Sequence, residues 1–532
     1  MAAPGDPVPT VTELLLARAA DTNPGLVFED QQWSWKDHVR ECGDRAALLR
    51  SLRRPGPFHI GVLLDNVPEF SFLLGGAALA GAVLVGLNTS RRGAALVRDI
   101  KLADCQVVIT DSRYVELLQG LDIGARVLDI DSAAWHVTAY RHQYSPLETA
   151  PVTPDDLLML IFTSGTSGEP KAVRVTHGKV AVPGRMLAGR YDLGAGDTVY
   201  VSMPMFHSNA IMAGWAVGLA AGARLALKRR FSASGFLPDV RAYGVTYANY
   251  VGKPLSYILS TPEEPDDADN PLKVMFGNEG NPADVETFAK RFGCVVDDAY
   301  GSTEGGIVVP RPPDMPMGAL GKLDDSVAVL DPATGLPCAP GVVGELVNKA
   351  GAGMFAGYYK DSSSDADRLR DGMFWSGDLV YRDENDFVFF VGRTSEWLRV
   401  DGENLGAAPI ERILLRHPSV AEASVYAVPD PSVGDQVMAA LVFRGDFDPA
   451  AFAEFLAAQP DLGPKQVPRF IRLTARLPRT ATFKVLKRTL SAQRWRTPDP
   501  VWWRPGSELV FEPLTPSSDP IRLDWGTRSV RP

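Results

Sequence analysis

The feature that most constrains this chain is an alternation, from about His59 to Leu330, between short apolar runs and segments long enough for helices. HIGVLL (59–64), AVLVGL (82–87), CQVVIT (105–110), ARVLDI (125–130), LLMLIF (157–162), TVYVSM (198–203), ARLAL (223–227), KVMFG (273–277) and VVDDAYG (295–301) each have the length of a buried strand. Gly, Asp or Asn bounds them. Arg91–Leu102 and Asp284–Phe292 read as intervening helices. Apolar runs without a polar face, separated by helices, predict an α/β architecture of mixed, mostly parallel sheets with flanking helices. After Gly392 and Arg393 a smaller pattern follows: a helix over Pro409–His417, strands over Ala421–Val428 and Val437–Arg444, and a helix over Pro449–Gln459. That predicts a small α+β C-terminal domain behind a large N-terminal domain of residues 1–393. The stretch from Gln493 is rich in Pro, Trp and Asp and reads as an irregular extension, 491–532.

The length of 532 residues favours two or more domains. A net charge of -10 leaves no basic excess to neutralise phosphates, which excludes nucleic acid as an expected partner. The four cysteines stand far apart without CxxC spacing, and the seven histidines form no HxxxH or HExxH pair. Neither a disulfide framework nor a zinc site is expected, and any metal should rest on carboxylates and phosphates. No signal peptide is visible in Met1–Thr10. Phe70–Leu87 carries no charge, but its Gly and Ala content, with Gly81 before AVLVGLN, reads as a helix giving way to a buried strand rather than a membrane span.

The sharpest local feature is LMLIFTSGTSGEPK, 158–171. An apolar strand runs into Thr163, Ser164, Gly165, Thr166, Ser167 and Gly168, then Lys171. Hydroxyls interleaved with glycine N–H groups are closely approachable donors for a polyphosphate, and Lys171 adds a point charge. Pro170 stands five residues after Gly165, where a GxxxxGK[ST] loop would place its second glycine, so this is not a P-loop of that kind. The segment resembles the phosphate loop of the adenylate-forming superfamily, which includes acyl-CoA synthetases.

That resemblance extends over roughly Thr10 to Leu490, with further motifs in the family's order. It implies that Tyr300, in YGSTEG, stacks on adenine, that Thr303 contacts phosphate and that Glu304 binds Mg²⁺. One carboxylate plus nucleotide phosphates is ordinary magnesium usage. Gly377-Asp378-Leu379 resembles the ribose site. Arg393 matches the arginine that reaches ribose and the α-phosphate, a task suited to a forked, permanently charged guanidinium. Alone, each of these would be an ordinary turn aspartate or surface arginine. His207 matches a position beside the carboxylate pocket, although a lone histidine among apolar residues is more often structural.

The resemblance also implies a hinge at 394–395, pivoting near Ser395, and a mobile lid over 396–490. Many relatives carry Asp or Lys where Ser395 stands. Gly402, Glu403 and Asn404, in VDGEN, resemble the loop that forms the coenzyme A tunnel. Lys484, in PRTATFK, resembles the catalytic lysine, with Phe483 where most relatives have Gly. Phe483 and the longer pieces GDLVYRDENDFVFFVGRT (377–394) and WLRVDGENL (397–405) are similar to the fatty-acid-transport-protein and very-long-chain acyl-CoA synthetase branch. The implied enzyme uses ATP, Mg²⁺ and coenzyme A on a hydrophobic carboxylic acid, in the cytoplasm or peripheral to the membrane. A long-chain fatty acid is the first expectation, a steroid side-chain acid the second. An acyl-AMP ligase serving a carrier protein and a membrane-associated uptake factor are the rivals. Gly252, Gly305, Gly306, Met212, Trp215 and Tyr250 are candidates for an apolar acyl tunnel or for ordinary core.

Overall fold

The computed structural model describes residues 7–163, 170–312, 314–393, 398–400, 403–430, 434–480, 484–506 and 508–515. The chain divides into two compact units: 1–328 with 347–376, and 329–346 with 377–532. The division falls inside the strand Met373–Arg382.

The first unit holds two large sheets. One runs in the order Arg126–Asp129, Cys105–Thr110, His59–Leu63, Val83–Gly86, Leu157–Thr163, Lys171–Thr176. All neighbours are parallel except the last pair. The other runs Val295–Asp298, Val274–Asn278, Tyr247–Val251, Thr198–Val201, Arg224–Leu227, Pro24–Phe28, Gln31–Ser34. It too is parallel up to its last, antiparallel, pair. Apolar strands such as His59–Leu63 and Val83–Gly86 are buried along their whole length, as expected of sheets covered on both faces.

The uncharged Phe70–Leu87 stretch resolves as read. A helix, Pro68–Ala80, ends at Gly81 in the left-handed conformation (φ 65°), and the strand Val83–Gly86 follows. Its glycines have a packing role: a Cβ at Gly76 would lie 2.8 Å from Cβ of Arg45, on the helix Trp35–Leu52. Among the described residues no helix is long and apolar enough to cross a membrane.

Two histidines are buried in this unit. His38 Nε2 lies 2.8 Å from the Ser71 hydroxyl, which accepts a 2.7 Å bond from the Trp215 indole. Burial pushes the His38 imidazole down to about 3 from 6.5 and His177 to about 4, with Asp156 opposing the second shift. Both stay neutral in the fold while the unfolded chain protonates below 6.5, so stability is full above pH 6.5 and falls as the pH drops towards 4. Each contributes a slope of about 1.4 kcal/mol per pH unit in that window. Replacing both with asparagine should flatten the pH dependence of urea unfolding between pH 6 and 4.5 by about 2.7 kcal/mol per pH unit. An unchanged slope would contradict the neutral burial.

The second unit contains a seven-stranded sheet in which Val420–Asp430 and Gly434–Phe443 form an antiparallel pair. Phe470–Leu473 lies parallel to the latter strand. The helices Ala407–Leu414 and Pro449–Ala457 supply Ile410, Leu414, Phe452 and Leu456 to a core with Val425, Leu441 and Ile471. The extension is less irregular than its composition predicts. Val501–Trp503 pairs antiparallel with Phe470–Leu473, Glu512–Pro513 pairs with Val501–Trp503, and Phe511 enters the core. Trp503 is buried against Phe470. These aromatic residues, read as irregular, are β-formers that close a sheet edge.

Candidate active site

The phosphate-loop candidate joins two paired strands. Leu157–Thr163 and Lys171–Thr176 are antiparallel, with Thr163 opposite Lys171, so the strands bring the two ends of the loop together. Ser164, Gly165, Thr166, Ser167 and Gly168 lie outside the described residues. The Lys171 ammonium stands 5.2 Å from the centroid of the Tyr358 ring. The second strand leads directly into the helix His177–Arg190, capped by the Thr176 hydroxyl, which accepts from Lys179 N at 3.2 Å.

The Tyr300–Glu304 segment is delivered by the other sheet. Strand Val274–Asn278, helix Pro282–Phe292 and strand Val295–Asp298 form a β–α–β unit, and the chain leaves it into Tyr300. Asn281 caps the helix, Pro282 opens it and Gly293 (φ 65°) ends it. Asp298 accepts from the Tyr250 hydroxyl at 2.5 Å and Gly280 N at 2.6 Å. Burial pushes its carboxyl up to about 6 against those two bonds.

Thr303 and His207, read as separate motifs, meet through a residue the sequence did not single out. The Thr303 hydroxyl lies 2.8 Å from that of Ser208, next to His207. His207 stands at the N-cap of the one-turn helix Ser208–Ala210, which runs into a π-helical turn, Ile211–Trp215. Buried Asn66 holds the approach to this segment, donating to Met203 O and accepting from Met205 N, both at 2.8 Å. Gly86 is needed here as well: a Cβ would lie 3.0 Å from the backbone of Phe206.

Glu304 is fixed at both ends. Its carboxylate accepts a 3.0 Å bond from the Tyr358 hydroxyl, which in turn accepts from Arg368 Nε at 3.3 Å. Its peptide carbonyl accepts a 2.6 Å bond from the Lys179 ammonium. Lys179 is 2% exposed, and burial pushes its ammonium down to about 8 while the charge of Glu304 pulls it up. Burial and the Glu304 charge both raise the Tyr358 hydroxyl.

In the second unit, Asp378 and Arg393 are cross-strand partners on the hairpin Met373–Arg382/Phe387–Arg393. Arg393 Nε lies 3.2 Å from the carboxylate of Asp378, which is only 5% exposed. Gly377 before it is left-handed (φ 74°), and its N–H donates to buried Glu345 at 2.7 Å. Lys484 is bonded to Thr480: Thr480 N donates to Lys484 O at 2.8 Å and Lys484 N donates to the Thr480 hydroxyl at 3.1 Å. Ser395 and Gly402 lie outside the described residues, as do the side chains of Glu403 and Asn404, whose backbone forms the strand Glu403–Leu405.

The model of the AMP-binding enzyme family matches residues 16–359, and that of the AMP-binding enzyme C-terminal domain matches 409–484. The chain belongs to the AMP-binding enzyme family. It is an ATP-dependent, adenylate-forming acid–thiol ligase. The ligase is 54% identical to the medium/long-chain-fatty-acid–CoA ligase FadD17 of Mycobacterium marinum, over 93% of this chain and 98% of the relative. It is 48% identical to the steroid-22-oyl-CoA synthetase of Rhodococcus jostii, over 93% and 92%. Its fold is similar to that of ATP-bound MatB from Rhodopseudomonas palustris (TM-score 0.81, 22% identity, covering 91% and 99%). It also resembles the o-succinylbenzoate coenzyme A synthetase MenE of Bacillus subtilis with ATP and magnesium ion (TM-score 0.76, 25% identity, covering 90% and 98%).

The donor set of the ligase suits magnesium. Among its described residues no group of three or more His, Cys, Asp or Glu side chains could hold a metal ion. A Mg²⁺ held by the single carboxylate of Glu304 would fill its remaining positions with phosphate and water, the usual pattern for that ion. Of the tunnel candidates, Trp215 and Tyr250 are fully buried and hydrogen-bonded to Ser71 and Asp298. Gly306 packs against the Phe374 ring. These three read as core, whereas Met212 sits half-buried on the π-turn beside Ser208.

Proposed function

We propose that this ligase activates a long-chain fatty acid and transfers it to coenzyme A. The observation that carries the choice of acid is the 54% identity to a medium/long-chain-fatty-acid–CoA ligase, over nearly the whole of both chains. In this reading the hydroxyl and amide groups of 163–168 and the Lys171 ammonium hold the β- and γ-phosphates. Tyr300 lies against adenine. Asp378 accepts from the ribose hydroxyls, and the Arg393 guanidinium, already held 3.2 Å from Asp378, is oriented towards ribose and the α-phosphate.

The substrate carboxylate, beside His207, attacks the α-phosphorus; the bond to pyrophosphate breaks and acyl-AMP is left. Mg²⁺, when bound at Glu304, supplies neutralisation of phosphate charge. Thr303 donates to phosphate, with its hydroxyl oriented by Ser208. Lys484 carries its ammonium to the carboxylate and α-phosphate oxygens, where negative charge develops. No covalent protein intermediate is needed. The coenzyme A thiol then attacks the acyl carbonyl and AMP leaves, with the backbone at Gly402, Glu403 and Asn404 lining the thiol's approach. The hinge at 394–395, the lid at 396–490 and a site of action in the cytoplasm or peripheral to the membrane belong to the same reading.

A steroid side-chain acid is the second reading, favoured by the 48% identity to a steroid-22-oyl-CoA synthetase. A panel of saturated acids from C8 to C20 and a C22 steroid acid, followed by coenzyme A-dependent AMP release, separates the two. The fatty-acid reading expects the highest kcat/KM within the C10–C18 acids. A kcat/KM for the steroid acid above that of every fatty acid would overturn it.

A further inference from the structure

Among the described residues Lys179 is the one buried ammonium bonded to the main chain of the candidate metal ligand, and no motif accounts for it. A lysine almost never enters a protein interior without a partner that repays its dehydration. Here the partner is the peptide carbonyl of Glu304, at 2.6 Å. The approach depends on the absence of a side chain at the next residue. A Cβ on Gly305, which is left-handed (φ 67°), would lie 3.1 Å from Lys179 Cε and 3.7 Å from its Nζ. The rest of the segment is held as closely. Gly305 N donates to Ser302 O, Met354 N to Gly305 O at 3.0 Å, and the Asn348 amide to Gly306 O at 2.8 Å. The Glu304 side chain is anchored separately by Tyr358.

The same helix links this contact to the phosphate hairpin. Lys179 lies in its first turn, directly after the strand that begins with Lys171. One short connection therefore ties the strand that closes the phosphate loop to the main chain of Glu304.

We propose that Lys179 is a positioning residue: its buried ammonium fixes the Glu304 peptide and so sets the direction in which the Glu304 carboxylate meets Mg·ATP. The proposal rests on the reading of Glu304 as the magnesium carboxylate. Lys179 touches neither substrate nor metal in this role; it acts through Glu304.

Lys179→Met keeps the length and apolar stem of the side chain and removes the ammonium, so the buried packing is retained. The Mg²⁺ concentration for half-maximal ATP–pyrophosphate exchange should rise about tenfold, the size of one hydrogen bond to a charged donor. Conversion of supplied acyl-AMP and coenzyme A to thioester should match the wild type, which also reports that the variant is folded. In a Glu304→Gln background the added effect of Lys179→Met should vanish, because the two act as one unit. Lys179→Gln, which keeps a polar head without the charge, carries the same expectation should the methionine variant not fold. A shifted Glu304→Gln beside an unshifted Lys179→Met or Lys179→Gln would overturn the role of Lys179 alone. An unshifted Glu304→Gln would overturn the assignment of Glu304, and Lys179's role with it. Full additivity of the two substitutions would show that Lys179 does not act through Glu304.

Discussion

Lys484→Ala should slow acyl-adenylate formation by about 100- to 1,000-fold, the usual cost of removing one preorganised donor from a developing charge. The thioester step should proceed at the wild-type rate when acyl-AMP is supplied, since the α-phosphorus has already reacted. The split between half-reactions matters more than the size of the loss. The two bonds between Lys484 and Thr480 run through the Lys484 backbone N and O, and alanine keeps both. A deficit confined to adenylation therefore reports the missing ammonium. ATP–pyrophosphate exchange and thioester formation from synthetic acyl-AMP, measured on the same preparation, make the comparison. Equal loss in both would remove Lys484 from this role.

Glu304→Gln is the second large effect. Glutamine keeps the acceptor oxygen that meets the Tyr358 hydroxyl at 3.0 Å, and it leaves the Lys179 bond to the peptide carbonyl untouched. Only the negative charge is lost. Because a metal contributes several kcal/mol to stabilising phosphoryl charge, adenylation at ordinary Mg²⁺ should fall by about 100-fold or more. Raising Mg²⁺ should recover part of the rate, which distinguishes this variant from Lys484→Ala, whose Mg²⁺ dependence should be unchanged. Wild-type rates at low Mg²⁺ would show that the carboxylate is not the metal's ligand.

The strands were legible because a strand buried on both faces has no polar residue to disguise it. His59–Leu63 and Val83–Gly86 fall within their apolar runs, and Leu157–Thr163 passes the end of its run by one residue. The helix legible over Asp284–Phe292 begins two residues earlier, at Pro282, a proline at the first helical position being a start mark that periodicity does not register. The extension was misread because Pro and Trp lowered the apparent regularity of a segment whose strand, Val501–Trp503, spans only a few residues. The site residues divide in the same way. Asp378 and Arg393 are weak signals singly, and their meaning lies in an antiparallel register that no local pattern announces. Lys179, Ser208, Asn66 and Tyr358 left no signal at all. Each acts through a contact with a residue remote in sequence, and a single lysine or tyrosine in a helix or loop carries no periodicity that points to its partner.

The central claim is that this ligase forms a free acyl-adenylate and then hands the acyl group to coenzyme A. A two-stage single-turnover experiment tests it most directly. Enzyme, Mg·ATP and a long-chain fatty acid are mixed without coenzyme A, the products are read by mass spectrometry, and coenzyme A is then added. Acyl-AMP and pyrophosphate should form in equal amounts in the first stage. On addition of coenzyme A, the acyl-AMP should convert to acyl-CoA and AMP without further ATP consumption. Acyl-AMP that persists after coenzyme A is added, or ATP left uncleaved in the first stage, would contradict it.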